Sequence, residues 1–390
     1  MKQAWDVIII GAGAAGLMCA IESGRRGRKT LLIEHCEKIG KKILISGGGR
    51  CNFTNIHASP DNYLSENPHF CKSALSRYSP HDFIALIEKH NIAYHEKKLG
   101  QLFCDGSSRQ VVGMLSTECA EHGVTIITGC SVMEVRKDEI FYLSTSKGDF
   151  TTQTLVVATG GLSIPKMGAT DFGHCLADQF GVRRTELKPG LVPFTFPESI
   201  RSEYEELAGV SLAVEASVQS AQFRENMLFT HKGVSGPAML QVSSFWKDGI
   251  AIEVELLRTE VLDALFKKYE GSQKEVGTIL QEALPKRFLK KFLDTRFQMR
   301  PFSSLQLSER EYLRQACFMW KFIPGGTEGY RMAEVTVGGV DTRDISSKTF
   351  QAVNVEGLFF IGEVLDVTGW LGGYNFQWAW ASGFCAGQYT

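Results

Sequence analysis

Three glycines and a glutamate near the start of the chain have the types and spacing needed to hold a nucleotide phosphate. Gly11, Gly13 and Gly16 follow an apolar stretch and begin a helical pattern, and Glu34 ends the next apolar stretch. In such a unit the first glycine permits a tight turn, the second lets the backbone approach a pyrophosphate, and the third allows close packing of helix on strand. The pyrophosphate is then expected at the helix N-terminus, where free amides and the helix dipole favour an anion.

The glutamate narrows the choice of nucleotide. A carboxylate accepts hydrogen bonds from a free ribose and repels a ribose phosphate, so Glu34 favours FAD or NAD over NADP. The first helical residues, Ala14 and Ala15, are predicted to belong to the same site. The motif alone does not separate FAD from NAD, and a glycine-rich structural turn with a solvated glutamate is the other interpretation.

A strand, a helix and a second strand must position this turn. The hydrophobic pattern predicts them at residues 4–10, 14–24 and 30–34, which is the length of a right-handed parallel crossover. Further elements are predicted as core strands at 123–128, 155–158 and 358–361, polar alternating strands over 131–154, and a helix from Asn375.

The residue pattern of the sequence changes in its middle. With 390 residues and 44% apolar content, the chain is long enough for two or three domains. Residues 191–256 alternate in a strand-like manner, and strong helix formers dominate from residue 259 to residue 315. We therefore predict a main α/β domain (1–190 and 341–390), a β-rich inserted domain (191–258 and 319–340) and a helical insertion (259–318).

Charge and cysteine usage indicate the surroundings of the protein. The formal net charge of -1 gives no electrostatic reason to expect nucleic acid or an acidic membrane as the main partner. The ten cysteines include no Cys-x-x-Cys pair, which argues against a zinc or dithiol site and fits a reducing compartment. No stretch is apolar enough to span a membrane, and together with the cysteines this leads us to expect a cytoplasmic protein. We expect no bound metal, because the sequence shows no metal-ligand spacing.

Later segments resemble a known family. They are GKKILISGGGRCN at 40–52, ATGG at 158–161, GEVLD at 362–366 and GGYNFQ at 372–377. In order and wording they resemble a bacterial flavoprotein family described as aminoacetone oxidase or BaiN-type FAD-binding enzymes, and the similarity covers essentially the whole chain. The resemblance implies an α/β fold with a Rossmann-type FAD-binding domain that carries an inserted β domain and a small inserted helical domain.

The resemblance also selects FAD as the cofactor and implies its contacts. Besides the first glycine turn, the predicted cofactor-binding residues are Lys42, Ser46, Gly47, Gly48, Arg50, Cys51, Asn52, Thr159, Gly160, Gly362, Glu363, Asp366, Gly373, Tyr374 and Asn375.

For some of these positions there is a physical reason to expect a cofactor contact, and also an alternative interpretation. Glu363 stands where other two-dinucleotide flavoproteins often have Asp, and either acid can accept a ribityl or ribose hydroxyl. A helix starting after Gly373 would stabilise negative charge on a reduced flavin, unless it is only a packing turn. The glycines before Arg50 let the backbone approach a ring or phosphate, with a plain surface loop as the alternative. Cys51 is interpreted as a packed residue and not as a redox thiol.

Two features outside these motifs are weaker candidates. His231, in the segment FTHKGVSGP at 229–237, is a candidate proton donor, although a histidine in such a loop is more often structural or solvated. Residues 285–300 form a basic amphipathic pattern that includes Lys290 and Lys291. It is interpreted as a solvated helix docked on its own core, with an RNA or membrane contact as the alternative.

The predicted function is hydride transfer between FAD and an organic small molecule by an FAD-dependent oxidoreductase. A NAD(P)H-linked reductase is favoured. Because only one complete glycine fingerprint is present, a separate NAD(P)H domain is not evident, so NADH or NADPH would be a transient electron donor, or the substrate itself would reduce the flavin. The alternatives are an RNA-modifying flavoprotein and an amine oxidase that uses oxygen. Neutral overall charge argues against the RNA alternative. The sequence does not indicate the substrate or the oligomeric state.

Overall fold

The computed structural model describes residues 3–315 and 318–390, so Cys317 lies outside the described residues. The chain divides into two compact units, Met1–Lys188 with Val335–Thr390 and Pro189–Glu334. The second unit holds both the strand-rich and the helix-rich middle segments. The division into three domains stays a prediction.

The helices differ in length between the two units, and the long ones at the two ends of the chain belong to the first unit. They are α1 (Ala14–Arg25), α2 (Lys41–Ile45), α3 (Cys71–Arg77), α4 (Pro80–Lys89), α5 (Ser108–Glu121), α6 (Phe172–Gln179), α7 (Glu198–Tyr204), α8 (Pro237–Phe245), α9 (Thr259–Lys268), α10 (Val276–Leu280), α11 (Lys286–Phe292), α12 (Thr295–Gln298), α13 (Leu307–Gln315) and α14 (Tyr374–Gly387).

The strands are mostly short. They are β1 (Gln3–Ile10), β2 (Thr30–Ile33), β3 (Asn52–Asn55), β4 (Tyr63–Leu64), β5 (Tyr94–Glu96), β6 (Gln101–Cys104), β7 (Thr125–Ile127), β8 (Val132–Lys137), β9 (Phe141–Thr145), β10 (Gly148–Val157), β11 (Lys188–Gly190), β12 (Phe194–Thr195), β13 (Ser211–Val218), β14 (Ala221–Phe229), β15 (Gly233–Ser235), β16 (Ile252–Glu255), β17 (Met319–Phe322), β18 (Gly326–Thr327), β19 (Val335–Val337), β20 (Leu358–Phe360) and β21 (Thr368–Gly369).

A mostly parallel sheet forms the core of the first unit. Its strands follow the order β7-β2-β1-β10-β9-β8, and β20 pairs with β10 in parallel. β1 pairs in parallel with both β2 and β10, whereas β9 and β8 extend the sheet in antiparallel fashion. The run Val7–Ile9 has no exposed surface, as expected for a strand with both faces covered. The predicted α/β fold with a Rossmann-type sheet is confirmed.

Helix α14, from the C-terminal segment, packs on α1 at very close range. A Cβ atom built on Gly383 would lie 2.4 Å from the carbonyl oxygen of Ala15, and one built on Gly387 would lie 2.5 Å from Glu22 Cβ. Only glycine at these two positions lets the helix backbones approach so closely. This packing brings the last segment of the chain against the first helix.

The second unit is built on an antiparallel sheet. Its strand order is β17-β16-β13-β14-β15-β12-β18. The basic segment predicted at 285–300 contains α11, whose Phe288 and Leu289 are buried while Lys290 and Lys291 are exposed. Phe288 and Phe229 rings lie 6.3 Å apart, so the apolar face of α11 packs on the core of its own unit. This agrees with a solvated helix docked on its own core.

Two observations bear on membranes and disulfides. Across residues 3–315 and 318–390, no helix is long and apolar enough to span a bilayer. The nine cysteines in these ranges are all free thiols.

Candidate cofactor site

The first glycine turn is shaped by contacts that exclude side chains. Gly11 has a φ of +106°, and a Cβ atom there would lie 2.4 Å from the carbonyl oxygen of Ala158. A Cβ atom on Gly16 would lie 1.9 Å from the carbonyl oxygen of Gly11. Both positions therefore require glycine, one for the turn and the other for the packing of α1 on it.

Gly13 differs from its two neighbours because it faces open space. Apart from Gly13 and its two chain neighbours, no described residue has an atom within 4 Å of a Cβ atom built there. Gly13 is also the N-cap of α1, and no side chain in the described residues caps this helix. The amides of Ala14 and Ala15 have no intrahelical acceptor at this end. The turn thus presents free donors and a positive helix end beside a vacant volume, which suits a phosphate.

Glu34 is tied to the same turn. Its Oε2 atom accepts from the amide of Ala12 at 2.9 Å, and its Oε1 atom accepts from the amide of Cys36 at 2.8 Å. The side chain is nearly buried. His35 Nδ1 lies 3.2 Å from Oε1, so it is Oε2 that keeps a second lone pair to accept from a ribose hydroxyl beside the turn.

The C-terminal segment meets the first turn through Gly362. A Cβ atom on Gly362 would lie 2.8 Å from the Cβ atom of Ala15. Two residues of α14 hold Gly362 in place, since Trp378 Nε1 donates to its carbonyl oxygen at 3.0 Å and its amide donates to Ser382 Oγ at 3.0 Å. The structure therefore brings the predicted first and last cofactor segments together.

Glu363 forms an ion pair with Lys42. Lys42 Nζ donates to Glu363 Oε2 at 2.8 Å and to Ser163 Oγ at 2.7 Å. Glu363 Oε1 accepts from the amide of Thr336 at 3.0 Å and from Ser163 Oγ at 3.2 Å. Burial raises the pKa of Glu363, but Lys42 and these hydrogen bonds outweigh burial and hold the pKa below its ordinary value. Predicted residues Lys42 and Glu363 are thus joined, and protein groups occupy both carboxylate oxygens.

The glycine run after Ser46 forms a protruding loop. Gly47, Gly48 and Gly49 all have left-handed backbones, with φ values of 57°, 68° and 87°. Elsewhere in the described ranges, no atom comes within 4 Å of Cβ positions at Gly48 and Gly49. Arg50 is exposed next to them. Ser46 does not present a free hydroxyl, since its Oγ donates to the carbonyl of Ile43 at 2.8 Å.

Cys51 is a packed residue. Its side chain has no exposed surface, and burial raises the pKa of the thiol to about 12. A thiol with such a pKa stays protonated near neutral pH, which agrees with packing and not with nucleophilic chemistry.

The turn before α14 contacts β3 directly. A Cβ atom on Gly373 would lie 2.4 Å from the carbonyl oxygen of Thr54 and 2.9 Å from the side-chain amide of Asn52. Asn55 Nδ2 donates to the carbonyl of Gly372 at 2.9 Å. The glycine loop that leads into β3 and the turn that begins α14 are therefore neighbours. Gly373 is the N-cap of α14, which no described side chain caps.

The side chains that follow Gly373 are engaged by the protein. The Asn375 amide donates to the carbonyl of Gly369 and accepts from the amide of Gly369, both at 2.8 Å. Tyr374 is mostly buried, and burial raises the pKa of its hydroxyl. Both side chains therefore pack within the turn, and the backbone amides at the N-terminus of α14 remain for a ligand.

Two predicted residues direct their polar atoms elsewhere. Asp366 Oδ2 accepts from the amide of Glu66 at 2.9 Å, and burial raises the pKa of this carboxyl. Thr159 Oγ1 is buried without a hydrogen-bond partner among the described residues, and it faces α6, since a Cβ atom on Gly173 would lie 2.1 Å from it. Gly160 stays close to the ion pair, with its Cβ position 3.8 Å from Glu363 Oε2.

His231 belongs to the second unit. It lies exposed in the turn between β14 and β15, next to Lys232, which pairs with Glu328 at 2.7 Å. Its role as a proton donor stays a prediction.

Sequence reasoning missed several residues that build the site. Gln377 is fully buried, accepts from Thr54 Oγ1 at 2.7 Å and donates to the carbonyl of Tyr78 at 2.9 Å. Its signal was its place in the GGYNFQ segment. Ser163, Thr336 and Asn55 carried no local signal, because their partners are far away in sequence.

These features fit a dinucleotide cofactor. The open volume at Gly13 suits a pyrophosphate, Glu34 suits a ribose, and the uncapped start of α14 beside the glycine loop suits an anionic ring system. A Rossmann-type sheet with this turn at the carboxyl end of β1 defines the class of dinucleotide-binding proteins, to which FAD-binding flavoproteins belong.

Comparison with known proteins agrees with this class. The family model described as the HI0933-like protein Rossmann domain matches residues 5–389, and the chain belongs to this family. Proteins of this FAD-binding family are oxidoreductases, so the chain is an FAD-dependent oxidoreductase. The predicted resemblance to BaiN-type flavoproteins is confirmed as membership of this FAD-binding family.

Three curated relatives match over nearly their full length. The ribosomal RNA dihydrouridine synthase of Escherichia coli K12 is 48% identical, with 99% of this chain and 98% of the relative covered. The protein of the same name from Haemophilus influenzae is 46% identical, with 99% and 98% covered. A 3-dehydro-bile acid delta(4,6)-reductase of Clostridium scindens is 29% identical, with 97% of each covered.

A solved structure shows the same fold. The 3-ketosteroid-delta4-(5alpha)-dehydrogenase of Rhodococcus jostii RHA1 superposes with a TM-score of 0.52, 12% identity, and coverage of 99% of this chain and 97% of that one. At this identity the likeness concerns the fold alone.

Proposed function

We propose that this flavoprotein saturates a carbon–carbon double bond conjugated with a carbonyl, and that its substrate is a uridine of ribosomal RNA. The observation that carries the proposal is the identity of 48% and 46%, over nearly the whole chain, with two ribosomal RNA dihydrouridine synthases.

The names of the relatives describe one class of reaction. Dihydrouridine is uridine with a saturated C5–C6 bond, and that bond is conjugated with the C4 carbonyl. A delta(4,6)-reductase acting on a 3-oxo steroid saturates bonds conjugated with the C3 carbonyl. In both cases a hydride adds to the carbon at the far end of the conjugated system. A proton then adds either to the carbon next to the carbonyl or to a carbon that is conjugated with the carbonyl. The relatives therefore differ in substrate and share the chemistry.

The chain's own residues are proposed to hold and orient the cofactor. When bound, FAD supplies the hydride chemistry. The amides at Gly13, Ala14 and Ala15 would bind the pyrophosphate, and Glu34 would bind the adenosine ribose. The loop Gly47–Gly49 and the N-terminus of α14 would contact the ring system.

RNA is favoured here as the substrate, whereas the sequence alone favoured a small molecule. Neutral net charge argued against nucleic acid, but enzymes that act on a base need a pocket for one extruded nucleotide, which whole-chain charge does not report. A cytoplasmic location belongs to the proposal, because the substrate is ribosomal RNA. NADH or NADPH is proposed as the transient reductant.

The test uses purified protein, ribosomal RNA from cells that lack the gene, and NADH or NADPH under anaerobic conditions. Digestion and mass spectrometry of nucleosides measure dihydrouridine, which we expect to form with the wild-type protein and to disappear with Gly13→Asp. Gly113→Asp is the matched control, because Gly113 is also a glycine with an open Cβ position, on the exposed face of α5. Reduction of a 3-oxo-Δ4 steroid with no dihydrouridine in the RNA would assign a small-molecule reductase instead.

A further inference from the structure

Leu99 combines an exposed apolar side chain with a backbone that favours glycine. It lies in the loop between β5 and β6, where 61% of the residue is exposed and its φ is +51°. A branched apolar side chain rarely adopts the left-handed region, because Cβ crowds the following carbonyl. Glycine would relieve this strain, and the leucine gains little from burial.

The surrounding hydrogen bonds hold Leu99 in this conformation. The amide of Gly100 donates to Glu96 Oε1 at 2.9 Å, and the amides of Lys97 and Gln101 donate to the carbonyls of Gln101 and Lys98, both at 3.0 Å. The carbonyl of Leu99 accepts from Asn55 Nδ2 at 3.1 Å. Four hydrogen bonds thus fix the tip of the loop between β5 and β6, and Leu99 is exposed at this tip.

The same side chain that holds this tip also holds the candidate cofactor site. Asn55 Nδ2 donates both to Leu99 and to the carbonyl of Gly372, at 2.9 Å, in the turn that begins α14. The Cβ position of Gly372 lies 2.9 Å from Gln101 Nε2, at the far end of the loop. Leu99 is therefore placed at the rim of the site by direct contacts.

Positive charge flanks the tip. Lys97 is exposed, and its Nζ lies 5.2 Å from the centroid of Phe103. The Phe103 ring also contacts the glycine loop, 2.8 Å from the Cβ position of Gly47. Arg50, at the end of that loop, is exposed as well. The loop also carries the acid Glu96, but Lys97, Lys98 and Arg50 are all exposed, so the cations at the rim outnumber this acid and suit a phosphate backbone.

We propose that Leu99 is a wedge that enters the RNA stack in place of the extruded uracil; the proposal rests on the function proposed above. A base inside a folded RNA must leave the stack before it reaches a pocket. Proteins that unstack bases insert apolar side chains, leucine among them, into the gap. Single exposed leucines are common, but this one is held in a strained conformation at the rim of the site.

The test compares holoenzyme variants on two RNA substrates. Leu99→Gly relieves the backbone and removes the wedge, whereas Leu99→Phe keeps a wedge. The substrates are a folded ribosomal RNA fragment and a short single-stranded oligonucleotide with the same target uridine. We expect Leu99→Gly to keep its FAD content and melting temperature, to lose about tenfold or more in kcat/KM on the folded fragment, and to match wild type on the oligonucleotide. Leu99→Phe should retain most activity on both.

Gln219→Gly is the matched control for backbone relief, because Gln219 is exposed with a φ of +52° in a hairpin turn of the second unit. It should leave both rates unchanged. Equal rates of wild type and Leu99→Gly on the folded fragment would overturn the wedge, and so would an equal loss on both substrates. If the wild-type protein forms dihydrouridine in neither RNA, the proposed function fails and the wedge with it.

Discussion

Lys42 Nζ lies 2.8 Å from Glu363 Oε2 and joins residues 321 positions apart in the sequence. The side chains are 32% and 20% exposed, so the pair is largely shielded from water. A shielded carboxylate without its cation is costly. The pair therefore fixes the C-terminal cofactor segment to the glycine loop region.

Removing this lysine should weaken the pH dependence of stability that Glu363 contributes. In the wild-type protein the pKa of Glu363 is lowered, so the carboxylate stabilises the fold above its ordinary pKa of 4.5 and loses that contribution as pH falls through the folded value. In Lys42→Met burial still raises the pKa and the hydrogen bonds from Thr336 and Ser163 still lower it, but both contributions of the lysine are lost. The pKa therefore rises, and the carboxylate stabilises the fold less above pH 4.5. We expect a cost of about 2 kcal/mol at neutral pH.

Thermal unfolding across acidic to neutral pH measures this effect. Lys41→Met is the control, because Lys41 Nζ contacts Cys36 Sγ at 3.4 Å instead of Glu363. Parallel pH profiles for the two variants would contradict the assigned role of the ion pair.

The sequence predicted the local part of the site well. The strand predicted at 4–10 and the helix predicted at 14–24 appear as Gln3–Ile10 and Ala14–Arg25. These two elements are predictable from local sequence, because a buried apolar run and a glycine turn each consist of adjacent residues. Residues 131–158, predicted as separate strands, instead include the ten-residue β10, which continues from the polar hairpin into the core.

The approach of the first and last cofactor segments was predicted, but the individual side-chain contacts between distant segments could not be. The small sheet of β3, β6 and β5 consists of strands of three or four residues, too short for a periodic signal. Glu363 and Asp366 were both assigned to the cofactor, yet Glu363 pairs with Lys42, and Asp366 accepts from the amide of Glu66. Which neighbour an acid meets depends on tertiary packing, which the sequence pattern does not encode.

A buried acid outside the site should control stability of the first unit. Glu118 of α5 has no exposed side-chain surface and contacts Lys89, His90 at 2.7 Å and Arg25 at 3.2 Å. Burial raises its pKa, but these partners outweigh burial and lower the pKa to about 2. Glu118→Gln should cost about 3 kcal/mol at pH 7, because a pKa lowered from 4.5 to about 2 means that its partners favour the carboxylate in the fold by roughly that amount.

The difference between wild type and Glu118→Gln should shrink as pH falls from about 4.5 towards about 2, because the wild-type carboxylate then protonates. Chemical denaturation at several pH values measures it. Glu121→Gln, an exposed acid on the same helix, should behave like wild type throughout. A pH-independent difference would show that Glu118 does not act through its charge.

The contact between α1 and α14 should not tolerate a larger residue. In Gly383→Val the new side chain would start 2.4 Å from the carbonyl oxygen of Ala15, so the helices must separate. We expect a loss of about 3 kcal/mol from overpacking, together with weaker FAD binding, because Gly362 is held by α14. Denaturation and flavin titration of the apoprotein measure the two effects. FAD binding at wild-type strength would contradict the proposed coupling.

Negative charge at the first turn should prevent FAD binding without unfolding the protein. Gly13→Asp adds a carboxylate where the open volume suits a pyrophosphate, and like charges at close range should weaken binding by about a hundredfold. The absorbance of bound flavin in purified protein measures it. Gly113→Asp should retain full flavin, and an equal flavin content in both variants would refute the phosphate assignment.

The central claim is that the first glycine turn, the glycine loop and the start of α14 form one FAD site. Hydrogen–deuterium exchange of the wild-type protein, with and without FAD, tests it most directly. We predict that FAD slows exchange together in three segments, residues 11–17, 46–52 and 372–377. Slower exchange in the first segment alone, with the other two unchanged, would contradict the account.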